Sequence, residues 1–145
     1  IYFHDKKYKT ASRRSSVTIT LEDEINLSRG DMLVKAGDLP TVDKQFTATI
    51  SWMDSLPLAA GNKYIVQHGV NKVLAKVEQV HHKIAPDYSG IDEKTESLGM
   101  NDIAQVSFRL NKPIFYDQFK NHRTNGSFIL IDTKSNSTVG AGFIS

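Results

Sequence analysis

Apolar and polar residues take turns at every second position in stretch after stretch of this 145-residue chain. Because successive side chains of a strand point to opposite faces, that period restricts the chain to an all-β fold. Val17, Ile19 and Leu21 alternate with Thr18 and Thr20; Phe46, Ala48, Ile50 and Trp52 with Thr47, Thr49 and Ser51; Val106, Phe108 and Leu110 with Gln105, Ser107 and Arg109. Each set predicts a strand with one face turned to a core. Further strands are predicted over 1–8, 31–34, 63–68, 72–82, 127–131 and 138–144. Turn formers separate them: Ser28-Arg29-Gly30-Asp31, Ala60-Gly61-Asn62, His68-Gly69, Asn111-Lys112-Pro113, Asn125-Gly126 and Lys134-Ser135-Asn136. Short strands at this spacing predict an antiparallel barrel or sandwich. The only helical candidate, 92–98, lacks an apolar face and is expected to be a loop with at most one turn.

A boundary is expected at Lys35-Ala36-Gly37-Asp38-Leu39-Pro40, where Gly and Pro in a short polar stretch suit a linker. Residues 1–38 are then a few strands of an incomplete barrel and 39–145 a whole one. About 40 residues without a disulfide or metal rarely fold alone, and their unpaired strands invite pairing with another chain, so homodimerisation of the fragment through them is expected. The chain opens on the strand-like Ile1-Tyr2-Phe3 without a Met and reads as a piece of a longer protein.

Composition removes several functions. The 39% apolar and 23% charged residues predict a packed globular core. Eighteen basic residues against 16 acidic ones, spread along the chain, give a formal charge of +2 and no concentrated array for nucleic-acid phosphates. With no cysteine, disulfides, thiolate zinc sites and cysteine nucleophiles are excluded together, and a reducing cytoplasm is the expected compartment. No run approaches the ~20 apolar residues of a membrane span.

The candidate sites are weak. The G-x-x-x-x-G-K-[ST] phosphate loop is absent. Gly140-Ala141-Gly142 lacks the helix that a dinucleotide fingerprint needs and reads as a close-packed strand. Of Glu22-Asp23-Glu24, only Glu22 and Glu24 share a strand face, with no third group to complete an acid–base pair or cation site. His81-His82 is the best metal-like feature, yet neighbouring strand residues face apart and Asp87 is the nearest aspartate, so structural histidines are expected. Arg29-Gly30-Asp31 matches an adhesion tripeptide and reads as a turn. No G-x-S-x-G elbow presents a nucleophilic serine. Lys6, Lys7, Lys9, Arg13 and Arg14 near Tyr2, Phe3 and Tyr8 form the one basic patch with interleaved aromatics, the chemistry of single-strand binding, though an ordinary sheet shows the same alternation. No catalytic, cofactor or metal residue is expected in the chain.

Two stretches carry a family resemblance: 17–34, with Leu21-Glu22-Asp23-Glu24 and Ser28-Arg29-Gly30-Asp31, and 126–132 followed by 138–144, which opens on Thr138-Val139-Gly140-Ala141-Gly142. The first resembles the end of the second domain, and the second the closing strands of the third domain, of the large GTPase subunit of bacterial sulfate adenylyltransferase. Trp52-Met53, Pro57-Leu58, Gly61 and Asn101-Asp102-Ile103-Ala104 extend the likeness over nearly the whole chain. Elongation factor Tu shares the architecture and the T-V-G-A-G strand; the segment from Leu21 to Asp31 favours the sulfate enzyme.

The resemblance implies an elongation factor Tu-like barrel, with residues 1–38 ending the second domain and 39–145 forming the third. It implies that the parent binds GTP and Mg2+ in a separate G domain and pairs with a small catalytic subunit. Together these convert ATP and sulfate to adenosine 5′-phosphosulfate and pyrophosphate, driven by GTP hydrolysis. None of the residues for that chemistry falls in this chain, so its implied role is to dock the G domain and the small subunit. The alternative is a translation-factor barrel that binds tRNA or ribosomal RNA.

Overall fold

The computed structural model describes residues 1–3, 6–12, 14–85, 90–92 and 95–145, with the side chains of 3, 91 and 92 left aside. The chain divides into two compact units, Ile1–Asp31 and Met32–Ser145.

In the first unit β1 (Tyr2–Phe3) and β2 (Lys6–Lys7) pair antiparallel, Tyr2 opposite Lys7, so the strand expected over 1–8 folds back on itself. Tyr2 also bridges Thr18, each N–H donating to the other's carbonyl at 2.7 and 2.9 Å. The strand expected around Val17, Ile19 and Leu21 is reduced to that bridge, and Ile19 and Leu21 stand 49% and 41% exposed. Alternation buries a face only against a sheet, and two-residue strands offer none. The strand expected over 31–34 is likewise absent: Asp31 makes an isolated bridge to Arg29, and Met32, Leu33 and Val34 are exposed.

The second unit adds β3 (Thr41–Trp52), β4 (Leu58–Ala59), β5 (Lys63–His68), β6 (Asn71–Ile84), β7 (Ile91–Asp92), β8 (Ser97–Leu98), β9 (Ile103–Tyr116), β10 (Ser127–Asp132) and β11 (Thr138–Ile144). The order β5-β10-β11-β3-β9-β6, with β6 returning to β5, makes a closed antiparallel barrel of six strands, and β7 extends the free end of β6. Closure gives each of the six a partner on both sides, which counters the hazard of open sheets. There is no helix among the described residues.

The expected inward residues line the core: Phe46, Ala48, Ile50 and Trp52 of β3 and Val106, Phe108 and Leu110 of β9 are all buried. Phe46, Phe108 and Phe128 form an aromatic cluster with centroids 5.1 to 6.0 Å apart, tilted or edge-on as ring quadrupoles favour. Leu58 of β4 and Leu98 of β8 are paired, fully buried members of the same core. Ser97–Leu98 is therefore a strand where a loop was expected, because a single buried leucine carries no period to read. Bulges interrupt β3 between Asp43 and Gln45 and β6 at Val77/Gln79 and Val80/His82.

Candidate functional site

The closing strand β11 shows why its small residues stand where they do. Gly142 is buried between β10 and β3, and a Cβ there would lie 2.4 Å from Phe128 Cζ and 2.6 Å from Ile50 Cδ1. At Gly140 it would lie 3.2 Å from the Ser51 carbonyl and from Trp52 Cε3. Their missing side chains make room for Phe128, Ile50 and Trp52. Val139 is buried beside them, Ala141 is half-buried and Thr138 is exposed. In the first unit Leu21, Glu22, Asp23 and Glu24 are exposed. Ser28, Arg29, Gly30 and Asp31 form a tight turn, in which Ser28 N–H donates to Asp31 Oδ2 at 2.7 Å and Gly30 takes φ 107°.

The bulges of β6 bring together a constellation that sequence reasoning missed. Gln79, not His81, stands opposite Ser107, and the bulge at Val80/His82 re-aims His81 so that its Nε2 meets Ser107 Oγ at 2.6 Å. Ser107 Oγ in turn lies 3.0 Å from Thr47 Oγ1 on β3. A serine beside a histidine has the form of an activated nucleophile. Ser107, however, lies mid-strand with β3 on one side and β6 on the other, so its backbone N–H belongs to a ladder rather than to an oxyanion hole. The chain of hydroxyls and imidazole therefore ties three strands together. No local signal could have revealed it, since the partners are 26 and 60 residues apart. His82 is half-buried opposite Gln105. Asp87 lies outside the described residues, as does Arg13 of the basic patch; Lys6, Lys7, Tyr8, Lys9 and Arg14 are exposed.

One end of the barrel opens into a groove of about 940 Å³ lined by Met53, Leu56, Tyr64, Met100, Asp132 and Lys134, among others. Burial pushes the Tyr64 phenol up, with Asp132 and Asp54 adding to it. Asp132 is held below the usual carboxylate range by the Ser135 N–H and hydroxyl and the Lys134 N–H of its own turn. A phenol kept neutral beside an aspartate kept ionised leaves neither group poised to exchange a proton near neutral pH. Among the described residues no three His, Asp or Glu converge as metal ligands.

Near this end Asp102 is opposed by burial, which raises its pKa. The Lys83 ammonium and the Gly99 N–H, both at 2.7 Å, more than offset it, and the net shift is downward. A carboxylate with a depressed folded pKa stabilises the fold above the unfolded value of about 3.9 and loses that stabilisation as pH falls through the folded one. Asp102→Asn is therefore expected to cost about 1 kcal/mol at neutral pH and to flatten the fall of stability below about pH 4. Urea midpoints across the acid range check both.

Residues 45–145 match the family model described as GTP-eEF1A C-terminal domain-like. Sulfate adenylyltransferase subunit 1 of Colwellia psychrerythraea is 37% identical over 99% of this chain and 31% of its own length. The same-named protein of Sulfurovum sp. is 39% identical over 89% of this chain and 27% of its own. The bifunctional enzyme NodQ of Rhizobium meliloti is 37% identical over 99% and 22%. The chain thus spans less than a third of the length of these curated relatives. Among solved structures, Sup35 complexed with GDP superposes with a TM-score of 0.68 at 14% identity, over 75% of this chain and 26% of that one, a likeness of fold alone.

Proposed function

The chain belongs to the GTP-eEF1A C-terminal domain-like family, and from that premise we propose that it is the non-catalytic barrel portion of the GTPase subunit of a sulfate adenylyltransferase. The observation that carries the reading is the reach of the likeness. The family model begins at residue 45, whereas the sulfate adenylyltransferase relatives also match the residues before it, including Leu21 to Asp31. In this reading GTP and Mg2+ belong to a G domain elsewhere in the parent, and adenylyl transfer from ATP to sulfate belongs to a small catalytic subunit. The barrel docks both. A rigid body whose contacts with a nucleotide domain differ between nucleotide states can shift a population of conformers by that difference in contact energy. A closed barrel suits the task, since it can be moved without exposing strand edges.

The experiment is a binding series on the chain as it stands. Association with the small subunit of a sulfate adenylyltransferase is expected, while GTP, ATP and sulfate give no micromolar signal. A micromolar signal for any of the three overturns the reading. So does tRNA binding whose log affinity falls linearly with log salt, which would move the chain to the translation-factor class.

A further inference from the structure

Outside the barrel, cross-strand register assembles a surface that the sequence does not show. On the outward side Lys63 of β5 stands directly opposite Lys76 of β6, which stands directly opposite Arg109 of β9. Like charges placed directly opposite across a sheet are destabilising. Arg109 is neutralised by Glu78. Lys63 and Lys76, and Lys72 further along β6, are exposed and have no ion-pair partner among the described residues. Alongside this charged row runs an apolar one, Leu74 opposite Ile65 and Ile65 opposite Ile131. Leu74 is 39% exposed, whereas Ile131, outside the core cluster, is already 7% exposed under its neighbours.

We propose that this outer wall of β10, β5 and β6 is a docking surface for an acidic segment of a partner protein, whose aliphatic side chains cover Leu74 and Ile65 while its carboxylates meet Lys63, Lys72 and Lys76. Charge complementarity names the occupant: unpaired cations held side by side gain most from carboxylates brought between them. The apolar row separates a protein from a nucleic acid, since branched aliphatic side chains give bases no aromatic face to stack on. β5 and β6 are each paired on both sides, so the segment docks through side chains and not by adding a strand. The assignment rests on the docking role proposed above and names its surface. It is tested with synthetic probes, so failure of small-subunit binding and failure of this surface are separate results.

The probes are a labelled peptide of alternating Glu and Leu, a polyglutamate of equal length and a single-stranded DNA of equal charge, followed by fluorescence anisotropy on the intact chain. The Glu-Leu peptide is expected to bind, with affinity falling as salt rises. Lys63→Glu/Lys76→Glu should weaken it about tenfold or more, the milder Lys63→Gln/Lys76→Gln less, and Leu74→Ser several-fold, with all variants keeping the parent's cooperative melt. Three results overturn the proposal: no binding of the peptide, equal binding of polyglutamate, or tighter binding of DNA. Self-association lost in Lys63→Glu/Lys76→Glu would also overturn it, by assigning the wall to a second copy of the chain.

Discussion

Gly126→Ala is expected to cost the barrel about 3 kcal/mol or more, although it adds a single methyl group. The added Cβ would lie 2.4 Å from Phe119 Cα, 2.5 Å from Phe119 N and 2.9 Å from the Gln118 carbonyl carbon, so it meets backbone that cannot rotate away. Neither side is free to move. Gly126 N–H donates to the His122 carbonyl and its own carbonyl accepts from Ile144 N–H, both at 2.8 Å. Phe119 N–H donates to the Ile144 carbonyl at 2.9 Å, and the Phe119 ring packs on Phe143 at 4.3 Å. Relief of the clash must therefore break hydrogen bonds that fasten 117–126 to the end of β11. Gly90 is the control: no atom of the described residues comes within 4 Å of its Cβ position, and Gly90→Ala should change stability by no more than about 0.5 kcal/mol. Urea unfolding should show a large drop in midpoint at constant slope for Gly126→Ala alone. Equal effects of the two substitutions would refute the packing described at Gly126.

Trp52→Ala is expected to cost about 3–5 kcal/mol, the range for deleting a large aromatic side chain from a core. Trp52 is 1% exposed, its ring meets Tyr64 edge-on at 5.3 Å, and its Nε1–H donates to the Leu56 carbonyl at 2.8 Å. The substitution therefore removes core volume and also releases the 53–57 turn, which forms one side of the groove at the barrel end. Trp52→Phe keeps much of the volume and loses the hydrogen bond, and its loss should fall well below that of alanine. Because Trp52 is the single tryptophan, these variants are followed by circular dichroism, whereas its buried indole reports the unfolding of every other variant. A loss below about 1 kcal/mol for Trp52→Ala would be incompatible with the buried position described.

The same alternation led to different outcomes in the two units. Phe46 to Trp52 and Val106 to Leu110 became core strands because β3 and β9 lie side by side in a closed barrel, with Phe46 opposite Phe108 and Ala48 opposite Val106. Val17, Ile19 and Leu21 have an equally regular pattern, yet only Thr18 pairs, through one bridge to Tyr2. The glycines of the T-V-G-A-G strand were legible as close-packing residues. What they pack against, Phe128, Ile50 and Trp52, became visible only when β11 was set between β10 and β3.

Local chemistry alone determined the strand class of 63–68, 127–131 and 138–144, the turn at Ser28 to Asp31, and the inward faces of β3 and β9. Each depends on residues within a few positions of one another, where side-chain period and turn preference act directly. Tertiary structure decided the bulges in β6, the His81–Ser107–Thr47 chain and the Lys63–Lys76–Arg109 row. These depend on register between strands distant in sequence, and a shift of one residue in register exchanges the inward and outward faces of a strand.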